Sequence, residues 1–314
     1  MKNILKKNLV FKKIIGPIFV FISIYFLFGR ILKNWNVILQ WHYNFSYLIA
    51  IFAGISFFVL GCLILSMAWA KLLTIFGEKN VNQFACVGIY GRSNIAKYFP
   101  GNVFHLAGRQ ILGANYGYSH GTIAFATLFE TFGMLFTAGL ISLIGGSFFG
   151  SNFQYLGRSK IVIVFLLIII IIGIFLKIIS KDSIQRKLFK KEIYLKDNYK
   201  NFGAVFFHYL IFFTLIGLSM VLTVFVISGF INPSKIAAVV AIFGISWIIG
   251  LITPGAPSGI GIREAIIVAT LSGVLGEAQS VIIAIVFRLI TTFGDLVFWG
   301  VALLPKFSLN ETNN

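Results

Sequence analysis

Six stretches of this chain stay apolar long enough to cross a hydrocarbon core of roughly 30 Å, a distance that takes about 20 residues of helix. They run from 14 to 31, 47 to 73, 122 to 146, 161 to 179, 202 to 231 and 281 to 304. Each is continuously apolar and does not alternate with period two, so the spans are read as helices and not as barrel strands. Composition points the same way: 58% of the 314 residues are hydrophobic and 11% are charged, with a mean hydropathy of +0.94. Soluble domains carry about 25% charged residues. An all-α, polytopic membrane protein is expected, organised as one integral membrane domain over residues 1–314.

The formal net charge of +17 does not point to nucleic acid, because most basic residues flank membrane spans. Two hydrophilic segments carry the largest excess of positive charge and are therefore placed in the cytoplasm. One is the N-terminus, with Lys2, Lys6, Lys7, Lys12 and Lys13; the other is the loop 180–200. No small-x-small site follows the first apolar stretch, which reads as an uncleaved signal anchor. Richness in Ile, Phe, Lys and Asn fits a bacterial coding bias, and a bacterial inner membrane is the expected location. Cys62 and Cys86 lack any metal or disulfide spacing. The four histidines are not paired at ligand spacing, so neither a metal nor a cofactor is expected.

Four clear spans lie between the two cytoplasmic segments. The intervening stretch 82–113 must then enter and leave the membrane on one side, or lie flat on it. It holds Arg92, Asn94, Lys97, His105 and Arg109, too many polar groups for an ordinary span. A second interrupted segment, 235–276, is broken at Thr253-Pro-Gly-Ala-Pro-Ser-Gly-Ile-Gly261, where proline and glycine stop a helix. Its apolar arms, 237–252 and 265–275, read as short for full crossings. A shift of 154 residues (254 less 100) lays Pro100-Gly101 on Pro254-Gly255 and Arg109 on Arg263. Three crossings per half put the halves, about 14–150 and 160–305, in opposite orientation: an inverted repeat. The expected architecture is six full spans plus two re-entrant hairpins, turning at Pro100 and Gly101 and at Pro254, Gly255, Gly259 and Gly261.

Broken backbone at membrane depth survives only when buried in protein or facing a water-filled cavity. The residues able to work in such a place are Arg109, Arg263, Arg288 and His105, with the carboxylates Glu130, Glu264 and Asp295. One reading is mutual neutralisation by ion pairs that fix helix packing. The other is an anion site, in which guanidinium groups and helix N-termini exposed by the Pro-Gly breaks grip a phosphate-like head group. The carboxylates then hold the arginines while the site is empty, or couple transport to protons. Arg263 starts a helix after a glycine-rich turn, where free backbone N–H groups and guanidinium donors are placed to converge. His105 lies four residues before Arg109, on the same helical face, and has a structural alternative. Trp247 is assigned to core packing. Gly259-x-Gly261 has neither the third glycine nor the βαβ setting of a dinucleotide loop.

The motif Asn94-x-x-Lys97-Tyr98-Phe99-Pro100-Gly101, continuing through His105 to Arg109, is paired with Thr253-Pro-Gly-Ala-Pro-Ser-Gly-Ile-Gly-Ile-Arg-Glu264. Together they resemble the membrane region of lysylphosphatidylglycerol synthases, a region that also occurs alone in flippase-like membrane proteins. Ser258 stands where that family often has glycine. The resemblance implies a membrane protein that binds and translocates an anionic lipid, either an aminoacyl-phospholipid or a polyprenyl-phosphate-linked glycan. It also implies an aminoacyl-transferase or a glycosyltransferase encoded nearby as partner. The alternatives are a non-catalytic membrane partner or a membrane-embedded transferase in surface glycan or lipid assembly. The 314 residues hold no counterpart of the soluble aminoacyl-transferase domain, so lysyl transfer is not expected.

Overall fold

The computed structural model describes residues 45–99, 103–146, 199–229, 233–253, 256–307 and 309, with isolated positions between 25 and 35. Nearly all of the expected span 14–31 and of the loop 180–200, the whole expected span 161–179, and Pro100, Gly101, Pro254 and Gly255 lie outside the described residues. The described residues are mostly helical, joined by short turns, and contain no strand. Among them, six helices are long and apolar enough to cross a membrane.

Four of these match spans read from the sequence: α1 (Phe45–Ile75), α4 (His120–Gly146), α5 (Tyr199–Ser228) and α8 (Glu277–Ala302). The first interrupted segment is a pair of short helices, α2 (Gln83–Asn94) and α3 (Phe104–Asn115), with a 3-10 turn at Ile95–Tyr98 between them. Twelve residues of helix rise only about 18 Å, so neither arm crosses the core alone. The two arms pack against each other, as in a hairpin. Asn82 starts α2 by accepting from the Phe84 and Ala85 amides at 2.9 and 3.2 Å.

The second interrupted segment differs from expectation. Its first arm, α6 (Pro233–Ile252), is 20 residues long and rises about 30 Å. Helix begins at Pro233, ahead of the apolar run, because proline suits the first helical position. A 3-10 turn at Pro257–Gly259 then leads to α7 (Ile262–Leu275), and residues 257–275 also reach span length. Arg263 and Glu264, polar residues that shorten the apolar run, are inside the helix.

The shift of 154 residues carries α1 onto 199–229, which is α5, and α4 onto 274–300, which is α8 to within three residues. Helix pairings obey the same exchange. The contact of α1 with α2 is matched by α5 with α6, α2 with α3 by α6 with α7, and α3 with α4 by α7 with α8. Across the halves, α4 with α6 is matched by α8 with α2, and α1 with α8 by α5 with α4.

The equivalent helices α1 and α5 form the most extensive pair. Gly54 faces Ser219 while Gly61 faces Phe212 and Ile216, so the two helices run antiparallel. Equivalent helices of opposite direction are what an inverted repeat requires. Small residues let the backbones meet closely, the usual basis of helix association where lipid supplies no hydrophobic drive. A Cβ at Gly244 of α6 would stand 2.5 Å from Ser142 Oγ of α4, and one at Gly91 of α2 would stand 2.5 Å from Ala302 Cβ of α8.

Candidate functional site

The two interruptions meet, with the 3-10 turn Ile95–Tyr98 resting on the 3-10 turn Pro257–Gly259. Beside this junction is a cavity of about 110 Å³, lined by α1 to α8 and including Lys97, His105, Arg109, Glu130, Trp247 and Arg263. Three polar clusters and one solitary arginine surround it.

The first cluster joins α2, α3 and α4. Arg109 Nη1 donates to Glu130 Oε1 at 2.9 Å, and Tyr90 Oη donates to the same oxygen at 2.9 Å. The guanidinium also stacks 3.8 Å over the Tyr90 ring and lies 5.5 Å from that of Trp69. Arg109 and Glu130 are both buried, at 2% and 4% exposure. Planarity makes an arginine suited to such a combined ion pair and stack.

The second cluster ties the first turn to α8. Asp295 Oδ1 accepts from Lys97 Nζ at 2.7 Å and from Asn94 Nδ2 at 2.8 Å, while Oδ2 accepts from Tyr98 Oη at 2.7 Å. The third ties the second turn to the same helix. Arg288 Nη1 donates to the Ser258 carbonyl at 3.2 Å, and its Nε lies 3.4 Å from Glu264 Oε1. Glu264 Oε2 in turn accepts from the Gly261 amide at 2.6 Å, capping the start of α7. Ser258 has φ 51°, and Gly259 and Gly261 have φ 68° and 81°, so three left-handed residues make the turn. One helix thus anchors both interruptions.

Arg263 stands apart. Among the described residues, no carboxylate lies within ion-pair distance of it, and its Nε has no hydrogen-bond partner. Its side chain runs between two glycines: a Cβ at Gly250 would lie 2.7 Å from its Nε, and one at Gly259 would lie 2.8 Å from it. The guanidinium carbon lies 6.0 Å from the Trp247 ring, at the edge of cation–π range.

Residues 13–298 match the family described as Lysylphosphatidylglycerol synthase TM region. The chain belongs to that family. No curated protein matches it. In this lysylphosphatidylglycerol synthase TM region protein, a multi-pass membrane protein, the motif residues of both interruptions are gathered at one place.

The expected residues fall as follows in this family member. Arg109, Arg263 and His105 line the cavity, and His105 Nδ1 is buried without a hydrogen-bond partner among the described residues. Arg288 and Asp295 share a face of α8, for both approach Tyr98. Glu130 and Glu264 hold arginines. Asp295 holds Lys97 instead, a residue assigned no role from sequence. The free amide expected beside Arg263 is taken at Gly261 by Glu264, because a glutamate at the third helical position reaches back to the cap. Trp247, assigned to packing, faces the Arg263 guanidinium. Lys97, Asn94, Tyr98 and Tyr90 were missed. Three of them belong to the Asn94-x-x-Lys97-Tyr98 motif, which was the available signal.

Proposed function

We propose that the chain binds an anionic lipid by its head group in the cavity between the two interruptions and carries it from one leaflet to the other. The observation that carries this reading is Arg263, a membrane-embedded cation that faces a cavity and has, among the described residues, no carboxylate within ion-pair distance. An ionisable side chain inside the bilayer is costly, and it is retained where it pairs or works. A phosphate oxyanion supplies the missing charge and accepts the planar guanidinium donors. Cavities that engulf whole drug-sized ligands measure about 300–1,000 Å³, so the much smaller space here suits a head group whose acyl chains stay in the bilayer.

The opposed directions of α1 and α5 support alternating access, one half rocking against the other about the fixed site. Glu130, Glu264 and Asp295 keep the remaining cations paired while the site is empty. The cargo is an aminoacyl-phospholipid or a polyprenyl-phosphate-linked glycan, supplied by an aminoacyl-transferase or glycosyltransferase in a bacterial inner membrane. The N-terminus and loop 180–200 face the cytoplasm. A leaflet assay in proteoliposomes tests the reading. Labelled phosphatidylglycerol is expected to cross faster than labelled phosphatidylcholine carrying the same chains, and equal rates for the two would remove the anion site from the account.

A further inference from the structure

We propose that Lys97 is the mobile second cation of the anion site, and that Asp295 holds it in reserve while the cavity is empty. The proposal rests on the head-group reading of Arg263. Two other cations on the cavity wall, Arg109 and Lys97, are available to join Arg263 on a bound anion, and their surroundings differ in how easily each can leave its carboxylate.

Arg109 is fixed. Its side chain is 2% exposed, stacked on Tyr90 and paired with Glu130, whose second oxygen has no hydrogen-bond partner among the described residues. Drawing Arg109 away would leave Glu130 with the Tyr90 hydroxyl alone. A buried carboxylate stripped of its cation is strongly unfavourable.

Lys97 is placed otherwise. Its side chain is 19% exposed, and its ammonium sits on a flexible four-carbon stem with three freely rotating donors. Asp295 keeps one donor on each oxygen when Lys97 departs, Asn94 on Oδ1 and Tyr98 on Oδ2, where Glu130 would keep one in all. Those two contacts also keep the first turn docked on α8 during the exchange. The rings of Phe58 and Tyr98, each 5.7 Å from the ammonium, flank its resting place. When a head group enters, Lys97 exchanges one oxyanion for another, and Asp295 is left with the two neutral donors Asn94 and Tyr98 in place of its cation. The site then closes with one cation from each interruption: Lys97 from the first, Arg263 from the second.

Calorimetric titration of the detergent-purified chain with short-chain phosphatidylglycerol tests this. Removing Lys97 alone leaves Asp295 without its cation, so the decisive comparison is D295N against K97M/D295N, two proteins that differ only at Lys97 and carry no unpaired carboxylate. D295N is expected to bind more tightly than the parent, because the lysine no longer has a competing anion. K97M/D295N is expected to bind about tenfold or more weakly than D295N, the effect of one charge-assisted hydrogen bond. Equal affinities for D295N and K97M/D295N, with binding lost in R263A, would overturn the role of Lys97 and leave the anion site standing. Binding by D295N no tighter than by the parent would overturn the reserve role of Asp295. R263A binding as well as the parent would instead remove the head-group reading itself.

Discussion

Arg109 and Arg263 occupy equivalent positions in the two halves, yet among the described residues one has an ion-pair partner and the other has none. Position 130, which supplies the carboxylate for Arg109, corresponds under the 154-residue shift to Ala284, a fully buried alanine on α8. Position 90, whose tyrosine stacks on Arg109, corresponds to Gly244. The second half therefore keeps the arginine and the break while lacking the groups that neutralise the charge. Lys97 is likewise unmatched, since it corresponds to Leu251, and the asymmetry runs the other way for Asp295, which corresponds to Ile141. Each half thus contributes part of the polar cluster, which is assembled only where the halves meet. A repeated motif can thus hold a paired charge in one copy and, among the described residues, an unpaired one in the other.

This contrast makes unequal predictions for equal substitutions. Arg109→Ala leaves Glu130 buried without its cation and is expected to cost about 3–5 kcal/mol of stability. Removing both partners in R109M/E130Q is expected to recover most of that loss, as measured by thermal unfolding in detergent. A double variant no more stable than R109A would mean that the pair does not act as a unit. Gly244→Ala and Gly91→Ala probe the two matching seams, and each forces a methyl group to within 2.5 Å of a neighbour. Losses of about 1–3 kcal/mol are expected from both. A loss from one alone would show that the seams are not equivalent. Arg263→Ala leaves no carboxylate uncompensated, so its effect on stability is expected to stay below about 1 kcal/mol.

Much of the architecture was legible because membrane solvation acts locally. A run of apolar residues must be a helix, and a Pro-Gly cluster must interrupt one, whatever the rest of the chain does. On those grounds α1, α4, α5 and α8 were found with ends close to those observed. The length of α6 was misread because counting began at the first apolar residue and overlooked the helix-starting Pro233. Arg109 and Arg263 stood out as charges beside the breaks. The carboxylates Glu130, Glu264 and Asp295 stood out too, but their pairing did not, since Asp295 is 198 residues from Lys97 and meets it only because two opposed halves pack together. Glu130 was seen as a candidate, but which arginine it holds depends on the stacking of α3 on α4. Local periodicity says nothing about such cross-half contacts.

The most direct test of a structural arginine opposite a working one is to measure R263A twice, once for thermal unfolding and once for translocation of labelled phosphatidylglycerol in proteoliposomes. The account predicts a protein that unfolds within a few degrees of the parent and no longer moves the lipid faster than empty vesicles do. Translocation at the parental rate by a protein of parental stability would contradict it.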